Sequence, residues 1–346
     1  MKILFVTTRF YPHVGGVEEV VENISSNLGD KHEVVVLSSI NEWKNPLTTS
    51  TETEDYKGIK VKRVWMNLPG YFSGKFEKDK NANSLSLRTV VSFLAFPYRL
   101  VSGVYKMNKF IKEFNPDVIN LHFPDDAAIY FYLATIFIKK SIVTNIHGND
   151  LQVISNIWPY SFFTRMIIKK SSKIVVNSEY MSNEFGTKYP HFLDKVLIIP
   201  NGLDINFPKS ISPSRFFDTE YIFYVGRIVN KKGVDIMLKA FAKAGISNLK
   251  LLVEGKGELL SDMKSLAQNL GIQDKVSFTN GKLSKEDKYA YMKGSLFGII
   301  PSRIEPFGIV ALEFLASGTP LVASHTGGLV TILKDGETAL FFENGN

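Results

Sequence analysis

The sequence contains no cysteine. That excludes a disulfide framework, a thiolate metal site and a cysteine nucleophile. D-x-D does not occur, and His, Asp and Glu do not cluster at ligand spacing, so no metal and no resident cofactor are expected. The first glycines do not form G-x-G-x-x-G, and the acidic residue that a dinucleotide-binding unit carries about 20 positions further on is not evident. No apolar run reaches the roughly 18 uncharged residues of a spanning helix. Residues 89–98, 127–138 and 157–168 are greasy but shorter. The N-terminus, Met1-Lys2-Ile3-Leu4-Phe5-Val6, lacks the flanks of a signal peptide and reads as a strand. A cytoplasmic location is expected, with a peripheral contact at the inner face of the cell membrane left open.

What is present is an ordinary globular composition: 346 residues, 45% apolar and 22% charged, a length that suits two cores. The net charge of +7 suits nucleic acid, an anionic membrane surface or a phosphorylated substrate. It is equally what a solvated lysine surface gives.

Short apolar runs alternate with helical spacings throughout, which implies parallel sheets with right-handed crossovers. Residues 3–6 are continuously apolar, as in a strand covered on both faces. Val17, Val20, Val21, Ile24 and Leu28 then recur at helical spacing. Gly15-Gly16 therefore lies at a strand-to-helix corner, where bare N–H groups can meet a phosphate or glycine can simply satisfy a tight turn. Further strands are expected at 33–38, 59–65, 117–121, 142–146, 173–177 and 195–199, and a loop over 41–57. Residues 71–83 show no clear period. Residues 86–114 read as a long helix that Pro97 should kink or split. Its basic residues, Arg88 and Arg99 among them, are interleaved with Phe, Tyr, Leu and Val, which fits an interfacial helix or, preferably, burial against the sheet.

His122 and His147 both fall at strand ends, where α/β sheets bind ligands. His147, followed by Gly148-Asn149-Asp150, is the stronger candidate. Asn201-Gly202 is a strong turn signal. From Tyr221 the pattern restarts, so two tandem doubly wound α/β domains are expected, residues 1–204 and 205–346, with a ligand in the cleft over the carboxyl ends of both sheets.

Two stretches of the second domain carry chemistry. In Gly226-Arg227-Ile228-Val229-Asn230-Lys231-Lys232-Gly233, an arginine and a lysine five apart follow a strand, as a diphosphate leaving group requires. In Pro301-Ser302-Arg303-Ile304-Glu305-Pro306-Phe307-Gly308-Ile309, a strand, a short loop and a helix start form an anion-binding corner. Glu305 precedes a proline and belongs to the loop. Glu313 lies inside the helix, roughly 7–8 Å further along its axis than Gly308. The two carboxylates suit two contacts along one elongated ligand rather than a glycosidase pair astride one bond.

This stretch resembles the E-x7-E signature of the retaining glycosyltransferases of family 4, which have the GT-B fold: two Rossmann-like domains facing a cleft. The resemblance implies an acceptor-binding first domain and a donor-binding second one, joined near Pro200-Asn201-Gly202-Leu203-Asp204. It implies that Arg227 and Lys232 grip the donor diphosphate and that His147 contacts the donor sugar. Gly15 and Gly16 would meet the diphosphate or the sugar. Glu305 would hold sugar hydroxyls and Glu313 the ribose. Phe307, Gly308, Ile309 and Lys282 would line the donor site, the loop around Asn280-Gly281-Lys282 reading the base largely through its backbone. Thr326-Gly327-Gly328 matches a glycine pair near the donor, but Leu329, Val330 and Thr331 replace the usual following glutamate. The resemblance further implies metal-independent transfer of a hexose from a nucleotide-diphosphate sugar to a glycan or lipid-linked acceptor, and C-terminal helices beyond a point such as Asn346. No nucleic acid partner is expected. A sugar-nucleotide epimerase and a non-catalytic nucleotide-sugar-binding subunit are the alternatives.

Overall fold

The computed structural model describes residues 1–12, 15–40, 52–66, 87–122, 127–148, 151 and 158–345. The readings at 71–83, Ser86, the Arg88 side chain, Asn149-Asp150, and 41–51 of the expected loop lie outside the described residues. The chain divides into two units, residues 1–177 with 182–199, and residues 178–181 with 200–346.

The first unit is built on strands β1 (Lys2–Thr7), β2 (Glu33–Ser39), β3 (Glu54–Tyr56), β4 (Ile59–Val64), β5 (Val118–His122), β6 (Ser141–Ile146), β7 (Lys173–Val176) and β8 (Val196–Ile198). Its helices are α1 (Gly16–Gly29), α2 (Leu87–Phe114), α3 (Ala127–Thr135), α4 (Tyr160–Lys170) and α5 (Glu179–Lys188). The sheet order is β3-β4-β2-β1-β5-β6-β7-β8. Alternate residues of β1 explain its unbroken apolar run. Leu4 and Val6 join the core beneath α2, α3 and α4, while Ile3 and Phe5 pack with Val17, Val21, Ile24 and Leu28 of α1.

Three local expectations are corrected. Residues 54–56 are not loop: β3 pairs antiparallel with β4. The hairpin comes from its turn, where Lys57 and Gly58 both take positive φ (52° and 81°), and not from any apolar alternation in Glu-Asp-Tyr. Pro97 does not split the long helix; α2 runs through it. Asn201-Gly202 forms no turn. Such a turn closes a hairpin between antiparallel partners, whereas β8 is a parallel edge strand and the chain here passes into the second unit.

The second unit contains α6 (Asn206–Ser210), β9 (Tyr221–Val225), α7 (Val234–Ala244), β10 (Lys250–Glu254), α8 (Leu260–Asn269), β11 (Val276–Phe278), α9 (Lys285–Gly294), β12 (Phe297–Ile300), α10 (Ile309–Ala316), β13 (Leu321–Ser324), α11 (Leu329–Ile332) and β14 (Ala339–Phe342). All its strand pairs are parallel, in the order β11-β10-β9-β12-β13-β14. Again the strands are buried on both faces: Ile222 and Tyr224 lie in one core, Tyr221 and Phe223 in the other. The order of strands reverses between β9 and β12, and likewise between β1 and β5 in the first sheet. Ligands bind such sheets beyond the carboxyl ends of the strands at these reversals.

Candidate active site

The loops that follow β9 and β12 come together because those strands are neighbours in the sheet. After β9 the chain turns through a short 3-10 helix, Asn230–Lys232, and Gly233 (φ 64°) sets it into α7. Lys232 Nζ donates to Glu305 Oε2 at 2.5 Å, and Ser302 Oγ donates to the same oxygen at 3.1 Å. Glu305 is 8% exposed. Arg227 stands exposed at the head of the same loop, its carbonyl fixed by the Tyr224 hydroxyl at 2.9 Å. Burial, and secondarily the Glu305 charge, holds the Tyr224 phenol well above its usual pKa, so it stays a neutral donor.

The two loops are tied by a second set of bonds. Arg303 lies two residues before Glu305, and its guanidinium forks onto both oxygens of Asp235 at 2.8 Å each, while Nη1 also donates to the Asn230 carbonyl at 2.8 Å. The Arg303 backbone N–H bonds the Lys231 carbonyl at 2.8 Å. The pairing lowers the Asp235 pKa and raises that of Arg303. A third loop closes the set: the Gly328 N–H bonds the Glu305 carbonyl at 2.7 Å. Gly327 has φ 52°, and a Cβ there would sit 2.1 Å from that same carbonyl oxygen. Only glycine allows this approach.

Gly308 (φ 104°) caps α10, and Phe307 before it is buried. The first N–H groups of α10, from Ile309 on, have no intrahelical acceptor and carry the positive end of the helix dipole. Glu313, one turn further, is 2% exposed. Its Oε1 accepts from Lys288 Nζ at 2.5 Å and from the Tyr289 hydroxyl at 3.2 Å. Lys282 is exposed on the loop after β11.

In the first unit, Gly15 directly precedes α1 and Gly16 opens it. His122 ends β5 and His147 follows β6; because β5 and β6 are neighbours, the imidazoles stack with centroids 5.3 Å apart. His122 Nδ1 and His147 Nε2 are 3.1 Å apart. Burial lowers both pKa values, His147 to about 4 and His122 well below its ordinary 6.5, with His147 beside it as a second cause. The pair is neutral at physiological pH.

The structure thus brings together Lys232, Glu305, Gly308 and the start of α10, with Arg227 on the same loop as Lys232. Glu313 bonds Lys288 and Tyr289. Sequence reasoning missed Ser302, Tyr224, Lys288, Tyr289 and the Arg303–Asp235 fork. Only Ser302, three residues before Glu305, offered a local signal. Among the described residues, no group of three or more His, Cys, Asp or Glu is placed to hold a metal ion.

Residues 14–207 match the model of Glycosyltransferase Family 4, and residues 208–346 match that of Glycosyl transferases group 1. The chain belongs to glycosyltransferase family 4. Its relatives include the uncharacterized glycosyltransferase MJ1178 of Methanocaldococcus jannaschii, 26% identical, with 100% of this chain and 85% of that protein aligned. Another is a glycogen synthase of Mycobacterium tuberculosis, 26% identical over 98% of this chain and 82% of that one. Among solved structures, sucrose-phosphate synthase of Thermosynechococcus elongatus superposes with a TM-score of 0.75 at 16% identity, covering 100% of this chain and 86% of the other. Anabaena Alr3699/HepE in complex with UDP-glucose gives 0.74 at 18% identity, with 100% and 86% covered. The glycosyltransferase is therefore an enzyme of the GT-B fold, built from two Rossmann-like parallel-sheet units.

Proposed function

We propose that this glycosyltransferase moves a hexose from a nucleotide-diphosphate sugar to a hydroxyl of a glycan or lipid-linked acceptor, with retention at the anomeric carbon and without a metal ion. The observation that carries the reading is the Lys232–Glu305 pair beside the start of α10, with Arg227 on the same loop. It supplies two cations and a helix N-terminus for an anion, and a carboxylate for sugar hydroxyls, within one loop cluster. A protein of the same fold, Alr3699/HepE, is in complex with UDP-glucose, which agrees with this reading.

Arg227 and Lys232 neutralise the charge that grows on the diphosphate as the bond from the anomeric carbon to its oxygen breaks. The acceptor oxygen bonds that carbon on the same face, and its proton passes to the departing phosphate oxygen. Glu305 orients the sugar through its hydroxyls, and Glu313 accepts the ribose hydroxyls. Phe307, Gly308 and Ile309 shape the donor corner, and the Lys282 loop meets the base. From the first unit, Gly15, Gly16 and His147 are assigned to the diphosphate and sugar on the strength of their motifs. The first unit is assigned to the acceptor, the second to the donor.

The experiment is an acceptor screen with several nucleotide sugars in the presence of EDTA, the products read by proton NMR. Transfer with the donor's anomeric configuration preserved supports the reading. Inverted product, loss of turnover in EDTA, or an isomerised donor with no transfer contradicts it.

A further inference from the structure

The outward face of α2 is inverted. A surface helix normally turns its polar side to water. Here Leu94, Tyr98, Val101 and Tyr105, spaced as one helical stripe, are 78%, 60%, 70% and 64% exposed. The opposite face is already satisfied: Met107 and Ile111 are buried in the sheet core, with Phe96, Leu100 and Val104 packed against it. Burial against the sheet, the preferred sequence reading, is realised on that inner face, and the outer face is left exposed. The same helical layer exposes more apolar surface. Phe137, just beyond α3, is 91% exposed, and Trp158 and Phe162 at the start of α4 are 79% and 54% exposed. Helices α2, α3 and α4 are neighbours and share one core through their inner faces.

The charge of this layer decides what fits it. Lys106, Lys109 and Lys112 lie along the last turns of α2, and Lys139 and Lys140 follow α3. Arg165, Lys169 and Lys170 lie on α4. Against these eight exposed or half-exposed cations, the described stretches 94–114, 127–140 and 158–170 hold one acidic residue, Glu113, which pairs with Lys109 at 3.7 Å. That excess equals the formal net charge of the whole chain, +7. Two copies meeting through this face would oppose two strongly positive surfaces. Nucleic acid would answer the lysines but leave Leu94, Val101 and Phe137 in water.

We infer that the α2–α3–α4 layer is a docking surface for an anionic lipid membrane. Aromatic and aliphatic side chains enter the boundary between headgroups and acyl chains, and the lysines reach back to the lipid phosphates. No helix among the described residues is long and apolar enough to cross a membrane.

The test uses the full chain without donor, so its outcome is separate from that of the transfer reaction. Sedimentation with phosphatidylcholine vesicles containing phosphatidylglycerol should carry the protein down, and pure phosphatidylcholine vesicles should not. Salt should weaken the binding. In a Trp43→Phe background the emission should shift to the blue on binding, and a further Trp158→Phe should abolish the shift, since the remaining Trp65 is buried. Replacing Leu94, Tyr98 and Val101 together by Gln should cut vesicle binding about tenfold or more. Thermal unfolding should stay unchanged, because those side chains are exposed. A Lys109→Glu/Lys112→Glu variant should lose the preference for anionic vesicles. No binding by the wild type, or binding untouched in both variants, overturns the inference. So does concentration-dependent dimerisation that the Gln variant abolishes, or retention of RNA in preference to vesicles.

Discussion

Lys232 Nζ and Glu305 Oε2 lie 2.5 Å apart, so the cation assigned to the diphosphate and the carboxylate assigned to the sugar are bonded to each other. Their side chains are 18% and 10% exposed, which makes the pair largely shielded from water. Each holds the other in place, and a donor diphosphate must compete with Glu305 for the ammonium.

That arrangement separates two alanine variants. Arg227→Ala removes an exposed cation. It should lower kcat by roughly 2–4 kcal/mol in barrier and leave Tm unchanged. Lys232→Ala should lower kcat comparably but also destabilise the fold by about 1–3 kcal/mol, because Glu305 loses its counter-charge in a mostly buried site. Steady-state kinetics and thermal melts of both variants read this out. Equal melts, or unchanged turnover in Arg227→Ala, would count against the assignment.

Gly327 is the second test of the loop cluster. Gly327→Ala forces a Cβ into the Glu305 carbonyl and puts a side chain at positive φ. It should cost about 1–3 kcal/mol and displace Glu305, so that activity falls with stability. Gly336→Ala is the control: its φ is 71° but nothing lies within 4 Å of the added carbon. It should cost about 1–2 kcal/mol and spare activity.

The Arg303–Asp235 fork positions the cationic loop without touching substrate in the proposed scheme. A double-mutant cycle with Arg303→Ala and Asp235→Ala should give a coupling of about 1 kcal/mol in stability, modest because both side chains are about a third exposed or less. The larger effect should appear in kcat, since the fork holds the Asn230 carbonyl two residues before Lys232. Zero coupling and normal kcat would reduce it to a surface pair.

Much of this was legible in the chain, for identifiable reasons. Strands such as β1 and β9 are covered on both faces, so they read as unbroken apolar runs. Arg227, Lys232 and Glu305 could be singled out as candidates because each sits in a loop whose glycines and proline are local signals, and Glu313 because it lies inside the helix that follows. What was not legible depends on which strands are neighbours. The Arg303–Asp235 fork spans 68 positions, and Lys288 meets Glu313 across 25. His122 meets His147 only through the β5–β6 register. The short strands β3 and β14 have too few residues to show a period. Asn201-Gly202 misled because a turn dipeptide has no effect where no hairpin partner exists.

The histidine pair gives a pH prediction. Their folded pKa values lie below the ordinary 6.5, that of His147 near 4. Between those values the unfolded chain takes up protons that the folded one refuses. Stability from this source is therefore complete above about pH 6.5 and is lost as pH falls toward about 4. Denaturant unfolding of wild type and of a His122→Asn/His147→Gln variant over this range should show a shallower fall in the variant. Identical slopes would contradict the burial of the pair as neutral imidazoles.

Arg227 and Lys232 are assigned here to a diphosphate. Calorimetric titration of uridine, adenosine and guanosine diphosphates against their parent nucleosides tests this assignment most directly. The preferred diphosphate should bind wild type at least about 100-fold more tightly than its nucleoside, and Arg227→Ala and Lys232→Ala should each collapse that ratio. A diphosphate that binds no better than its nucleoside, or a ratio that survives in both variants, would contradict it.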